Sequence, residues 1–270
     1  MVNDTASWLI DRMEAWAPLH WAESWDNVGL LLGDVNTLPV RKVLVALDVT
    51  EAVVDEVVSG GYDFLICHHP LIHDPIRKIT SETPQGRKLL VLLSRGVRLY
   101  CAHTNLDKAP GGVNDCLFEK LGLQGPTVLM EEGGESPGIG LVGQLERPMR
   151  LGDFAAYVKK ALDLAQVRFS GDADVMVKTV GLCGGDASGP IFWKAALEKN
   201  CRVFITGDLR FHSTQDAWEA GIAMVDVSHY GGEKWIIDAI VKKLRKEAKA
   251  TGRDILIEAT KTNGQIFSQV

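Results

Sequence analysis

Phe64-Leu65-Ile66-Cys67-His68-His69-Pro70 decides how this chain folds. Four apolar residues run straight into two adjacent imidazoles and a proline. An apolar run this short, bounded by a breaker, has the signature of a strand buried on both faces of a parallel sheet. The pattern recurs twice. Val97-Arg98-Leu99-Tyr100-Cys101-Ala102 leads into His103, and Met224-Val225-Asp226-Val227 leads, one residue later, into His229. In open α/β sheets ligands gather beyond the carboxyl ends of the strands. The chain has seven histidines, at 20, 68, 69, 73, 103, 212 and 229, so four of them at such positions is a concentration that chemistry, not packing, explains.

Outward from these strands, the periodicity alternates between strand and helix, which favours an α/β fold. A helix is expected over 4–17, with Trp8, Leu9, Met13 and Trp16 on its apolar face and Pro18 ending it. Strand 43–47, a helix capped by Thr50 and running to 59, strand 63–67, helix 85–95 and strand 97–102 come next. The later part repeats that order: strand 178–183, helix 190–199, strand 202–206, helix 213–220 and strand 222–227. Laying Phe64-Leu65-Ile66-Cys67 over Val203-Phe204-Ile205-Thr206 places His73 on His212. The last strand of each unit then ends in a histidine with an acid four positions later, His103/Asp107 and His229/Glu233. The expected architecture is two α/β subdomains of similar topology related by a pseudo-two-fold axis. Their expected extents are 1–130 and 131–270, with a linker near 131–140, where Glu131-Glu132-Gly133-Gly134-Glu135-Ser136-Pro137-Gly138 has hinge composition.

Composition excludes several classes. With 270 residues, 46% of them hydrophobic, the chain can bury a substantial core. A net charge of -6 argues against a nucleic-acid partner, which calls for a basic patch. The basic run Lys242-Lys243-Leu244-Arg245-Lys246 interleaves with Ile237, Ile240, Val241 and Leu244 at helical spacing, the solvated side of an amphipathic helix. The five cysteines form no C-x-x-C pair, and Cys67, Cys101 and Cys183 lie in strand-like runs, as free thiols of a reducing compartment do. No signal-peptide pattern opens the chain, and no apolar run approaches the ~18 residues of a membrane span. A cytoplasmic location, with no membrane partner, is expected.

Imidazole and carboxylate together suit zinc, manganese, iron or nickel, and two such ions ~3.5–4 Å apart can steady both ends of a hydrolysis. On a regular strand His68 and His69 would face opposite sides. Just past its end, with Pro70 restricting His69, they can diverge to reach one ion each. Asp107 is assigned to a bridging carboxylate, and Glu233, four residues after His229, stands beside that imidazole. His103 is open to two readings, a ligand or a proton-transferring catalytic imidazole; it is assigned the catalytic role. Cys67 reads as a packed thiol, His73 and His212 as loop histidines, and Trp193, Trp218 and Trp235 as core or subunit contacts on helix faces. Asp26 and Asn27 read first as an Asx turn after Trp25.

These residues also carry a resemblance. Trp25-Asp26-Asn27-Val28-Gly29-Leu30, Val45-Ala46-Leu47-Asp48-Val49-Thr50, His68-His69-Pro70-Leu71, Ala102-His103-Thr104-Asn105-Leu106-Asp107, Gly207-Asp208-Leu209 and Ser228-His229-Tyr230-Gly231-Gly232-Glu233 occur in the order found in the NIF-three family, which the chain resembles. Its bacterial members are known as GTP cyclohydrolase I type 2 homologues with a dinuclear metal centre. The resemblance spans roughly 4–260 and is to the short form, which lacks an inserted middle domain. It implies that the two subdomains interlock, that the protein forms a toroidal homohexamer, and that His68, His69, Asp107, His229 and Glu233 are the ligands of two divalent ions per chain. It also suggests substrate contacts at Asp26, Asn27 and Asn105. Two functions are expected on these grounds. The first is a dinuclear metal-dependent hydrolase of a small polar, nucleotide-type substrate, either cyclohydrolase-like or acting on a phosphoester. The alternative is a metal-binding ring that acts as a scaffold or regulatory interaction protein without turnover.

Overall fold

The computed structural model describes residues 6–35, 39–262 and 264–268; positions 4 and 5 of the first expected helix lie outside the described residues. In chain order the elements begin with α1 (Ala6–Trp16), β1 (Gly29–Leu32), β2 (Lys42–Ala46), α2 (Glu51–Gly60), β3 (Phe64–Cys67), α3 (Pro84–Ser94), β4 (Arg98–Cys101) and α4 (Thr104–Lys108). Then come α5 (Val113–Lys120), β5 (Gln124–Met130), β6 (Ile139–Arg150), α6 (Leu151–Ala161), β7 (Arg168–Phe169), β8 (Met176–Leu182), α7 (Pro190–Glu198) and β9 (Val203–Thr206). The chain closes with α8 (Phe211–Glu219), β10 (Ala223–Asp226), α9 (His229–Glu233), α10 (Trp235–Ala250) and β11 (Leu256–Ala259).

These elements form two compact units, Met1–Leu106 with Ile236–Gly264 and Asp107–Trp235 with Gln265–Val270. The chain therefore enters each unit twice. The stretch expected as a linker, 131–140, lies instead inside the second unit, where residues 131–138 connect the paired strands β5 and β6. Hinges and hairpin turns draw on the same residues: Gly134 and Gly138 take positive φ of 80° and 84°, which costs glycine nothing sterically.

In the first unit the sheet order is β1-β4-β3-β2-β11. Strands β2, β3, β4 and β11 run parallel, and β1 pairs antiparallel with β4 at the edge. Leu65, Cys67, Leu99 and Cys101 pack with Val53 and Val57 of α2 and Leu92 of α3. Helix α2 starts where Thr50 Oγ1 accepts from the Val53 N–H at 3.1 Å and stops at Gly61, whose φ is 65°; a cap of this kind is worth ~1 kcal/mol. Helix α10 buries Ile236, Ile237, Ile240, Val241, Leu244 and Ala248 and turns the basic run to the other side, as its spacing predicts.

In the second unit the order is β5-β6-β8-β9-β10-β7, with β8, β9 and β10 parallel and β5, β6 and β7 joining antiparallel. Both faces are covered. Val203 and Ile205 join one core with Leu117 and Phe154, while Phe204 between them joins another with Trp193 and Met224, the alternation that a pleated strand imposes.

The repeat legible in the sequence reappears as topology. In each unit three parallel strands lie side by side in chain order, β2-β3-β4 and β8-β9-β10, and a short antiparallel strand flanks the third. Each third strand then leads into a five-residue helix, α4 or α9. Among the described residues no helix is long and apolar enough to cross a membrane, and all five cysteines are free, four of them buried.

Candidate metal centre

In the first unit the strand ladder runs on past β3. The His69 N–H donates to Leu47 O at 2.9 Å and the His68 N–H to Ala46 O at 3.2 Å, so the backbone of the histidine pair is pinned to the end of β2 and the residue after it. The buried His68 ring places Nδ1 2.8 Å from the Ala102 carbonyl. A carbonyl only accepts, so Nδ1 carries the proton and Nε2 the lone pair. His69 Nδ1 lies 2.7 Å from Asp48 Oδ1 and His103 Nδ1 lies 2.8 Å from Asp26 Oδ1, which sets the same tautomer in both rings. The ring centroids are 4.9 Å (His68–His69), 5.2 Å (His68–His103) and 5.6 Å (His69–His103) apart. One nitrogen from each ring falls within 4.8 Å of the other two. An imidazole whose far nitrogen donates to a carbonyl or carboxylate is the arrangement that orients metal-binding histidines, and three of them with a position to spare fit a first-row divalent ion.

The three residues expected to touch substrate are each engaged within the first unit. The Asp26 side chain has no exposed surface. Its Oδ1 accepts from His103 Nδ1 and, at 2.7 Å, from the Asn27 N–H; its Oδ2 accepts from the Thr104 N–H at 3.0 Å and from the Thr104 hydroxyl. Burial pushes this carboxyl upward, but the hydrogen bonds from His103 and Thr104 outweigh it and hold the group well below the usual carboxylate range. Buried Asn105 accepts from the His103 N–H at 2.9 Å and donates to Ala17 O at 2.7 Å. Asn27 Nδ2 donates to Ile72 O at 2.6 Å. Asp26 and Asn105 thus place His103, and Asn27 ties its own loop to the one after the histidine pair.

In the second unit Ser228 precedes α9 at φ 60°, ψ 160°, a conformation nearly confined to glycine that costs about 1–3 kcal/mol. Its Oγ accepts from the Gly231 N–H at 3.1 Å, capping the single turn. That turn sets His229 Nε2 3.3 Å from Glu233 Oε2, and Asp208 Oδ2 lies 2.8 Å from His229 Nδ1. Glu233 is buried. Two glycines make room for the pair. A Cβ on Gly207 would stand 2.6 Å from His229 N, and one on Gly185, whose φ is 65°, would stand 2.7 Å from Glu233 Oε1.

Asp107 belongs to the same unit. Its carbonyl accepts from Asn114 Nδ2 at 2.9 Å, and Asn114 Oδ1 accepts from the Gly184 N–H at 2.9 Å. Burial raises the Cys183 thiol well above its ordinary range, and the nearby charges of Asp107 and Glu233 raise it further. A cavity of about 780 Å³ in this unit has Asp208 and Ser228 in its wall, with Arg168, Tyr230, Lys234 and Gln265 among the other lining residues.

Asp48 and Asp208 carry no role in the reading of the sequence. Both occur in motifs quoted above, shortly beyond the ends of β2 and β9, and that position was the available signal. His73 is a loop residue, as expected, and its ring lies 5.8 Å from that of Trp25. His212 stands in the first turn of α8 instead. Trp193 is buried, whereas Trp218 is exposed.

Fold and donors together define a two-unit α/β protein with histidine and carboxylate groups able to hold a metal ion. The chain belongs to the Duf34/NIF3 (NGG1p interacting factor 3) family, which it matches over residues 5–264. It is 33% identical over 239 residues to the "GTP cyclohydrolase 1 type 2 homolog" of Clostridium perfringens, covering 88% of this chain and 90% of that one. It is 34% identical over 264 residues to the protein of the same name in Streptococcus pneumoniae, covering 96% and 97%. Among solved structures, a Bacillus cereus protein related to NIF3 superposes with a TM-score of 0.93 at 27% identity, over 100% of both chains.

Proposed function

We propose that this protein is a metal-dependent hydrolase of a small polar, nucleotide-type substrate, and that it holds two divalent ions per chain. The observation that carries the reading is the three-histidine group, in which each Nδ1 is committed to a fixed acceptor and one nitrogen per ring lies within 4.8 Å of the others. One ion is assigned to His68, His69 and His103; His229 and Glu233, with Nε2 and Oε2 3.3 Å apart, are assigned to the other, and Asp107 is carried there from the ligand set that the resemblance implies. Of the two roles open to His103, the geometry favours that of a ligand, because Asp26 occupies its Nδ1 as Ala102 and Asp48 occupy those of its neighbours.

The donor chemistry fits such ions. Neutral imidazoles and carboxylates are the ligands that zinc, manganese, iron and nickel accept, and a cation offsets the repulsion between the Asp107 and Glu233 carboxylates. Bound ions would supply Lewis-acid polarisation of the scissile bond. The chain's own part is orientation: Asp26, Asp48, Asp208 and the Ala102 carbonyl hold the four rings in one tautomer and one attitude. The name shared by the curated relatives supports a nucleotide-type substrate. The same proposal places the protein in the cytoplasm as a homohexameric ring, for which light scattering would give the mass of six chains and a single-chain mass would count against it.

The test is a screen of metal-reconstituted protein against nucleotides and simple phosphoesters, with His68→Ala as control. Turnover that needs metal and disappears in the variant supports the proposal. Full metal loading with no turnover on any substrate class would favour a binding or scaffold role.

A further inference from the structure

Trp25 is 57% exposed, although its immediate neighbours are tied down. The Asp26 N–H donates to Glu23 O at 2.9 Å, and the Glu23 N–H donates to Thr104 Oγ1 at 2.9 Å. Asp26 is fastened to His103 and Thr104, and Asn27 to Ile72. The loop is therefore anchored on one side to the residues of the His103 turn and on the other to those just before His73. The indole itself meets two imidazoles. It stands edge-on to His103 at 6.1 Å and 74°, and His73 leans against it at 5.8 Å and 35°. A large aromatic surface left to solvent beside a metal-binding group, on a loop held by so many hydrogen bonds, is a preorganised face and loses little freedom when something flat settles on it.

We propose that Trp25, braced by His73, is the specificity wall of this site and stacks a planar heteroaromatic ring, of the nucleobase kind, presented to the three-histidine group. The inference rests on the metal-site reading above and adds what that site recognises. The centroid separation of Trp25 and His73, 5.8 Å, is less than the roughly 7 Å that a ring sandwiched between two others needs at ordinary contact distances. The ligand ring therefore lies on the open part of the indole rather than between the two side chains. Recognition of this kind is tolerant of ring identity, because every base offers a π face. Selection among rings then falls to polar groups elsewhere, while selection against ring-free analogues falls to Trp25.

The experiment is isothermal titration of zinc-reconstituted protein with guanosine 5′-monophosphate and with ribose 5-phosphate, the metal content of every sample being counted. Wild type is expected to bind the nucleotide on the order of tenfold more tightly than the ring-free phosphate, the size of one base–aromatic stack. Trp25→Leu, which keeps apolar bulk without a π face, should erase the preference, and Trp25→Phe should retain most of it, both with unchanged metal. Equal preference in wild type and Trp25→Leu overturns the wall, as does wild type with full metal and no preference. A fall in oligomeric mass in Trp25→Leu with the preference intact would also overturn it, assigning the indole to a contact between copies. Low metal with the ring preference intact would sink the metal-site reading and leave the wall standing.

Discussion

Replacing Asp26 by Asn changes one atom of a side chain with no exposed surface, and its four hydrogen bonds dictate the cost. The carboxylate accepts all four: Oδ1 from His103 Nδ1 and the Asn27 N–H, Oδ2 from the N–H and the hydroxyl of Thr104. An amide must set its NH2 against one of these pairs. Turned toward Thr104, it meets a backbone N–H donor to donor. Turned the other way, it meets the Asn27 N–H and forces the His103 proton onto Nε2, the wrong tautomer for a ligand. Either orientation sacrifices a charge-assisted bond and leaves a donor unsatisfied, about 2–4 kcal/mol together. For a protein of this size that is on the order of 5–10 °C in Tm. Disturbing the partner of a metal-binding imidazole should also weaken metal affinity about 10–100-fold. The effect has a pH signature. The Asp26 carboxyl is held below its ordinary value in the folded protein, so its stabilisation is complete above the unfolded value near ~3.9 and is lost as pH falls below it. The Tm gap between wild type and Asp26→Asn should therefore be constant at neutral pH and narrow below about pH 4. Calorimetry across pH, with metal titration at pH 7, measures both effects. Equal Tm and equal metal affinity in the two proteins would show that the Asp26 carboxylate neither stabilises the fold nor orients His103.

Gly207→Ala should destabilise more than Gly185→Ala. The added carbon meets immovable backbone at His229 in the first case and the end of the Glu233 side chain, which can shift, in the second; denaturant titration of both variants gives the order, and the reverse order would count against this account of the two glycines. Gly185→Ala should still lose metal, since it displaces Glu233 and adds left-handed strain of about 1–2 kcal/mol; elemental analysis showing full metal would separate Glu233 from the ligand set. His103→Ala and Asp107→Ala should each remove about one of the two proposed ions. Full metal in His103→Ala would return that residue to the proton-transfer role, and full metal in Asp107→Ala would remove it from the site.

The parallel strands were legible because four-residue runs such as Phe64–Cys67 and Val203–Thr206 are apolar or nearly so throughout, with both faces buried. The repeat was legible because histidine and acid recur at the same spacing after β4 and β10. Other features escaped for physical reasons. Strands β1 and β7, four and two residues long at sheet edges, are too short to show a period. The β5–β6 hairpin was hidden because its glycine-rich connection reads equally well as a linker. The roles of Asp48 and Asp208 escaped because each lies 21 positions from the histidine it orients; only neighbouring strand ends bring them together. Asp26 was seen but read as a turn or a substrate contact, since its partners His103 and Thr104 are 77 and 78 positions away.

Binding of divalent ions by the two groups of donors can be counted. Elemental analysis of protein purified without chelator, then reconstituted separately with zinc, manganese and iron and freed of excess metal, tests it most directly. Two ions per chain, falling to about one in His68→Ala and about one in Glu233→Ala, is the predicted result. Wild-type protein that retains no metal after reconstitution with any of the three would contradict it.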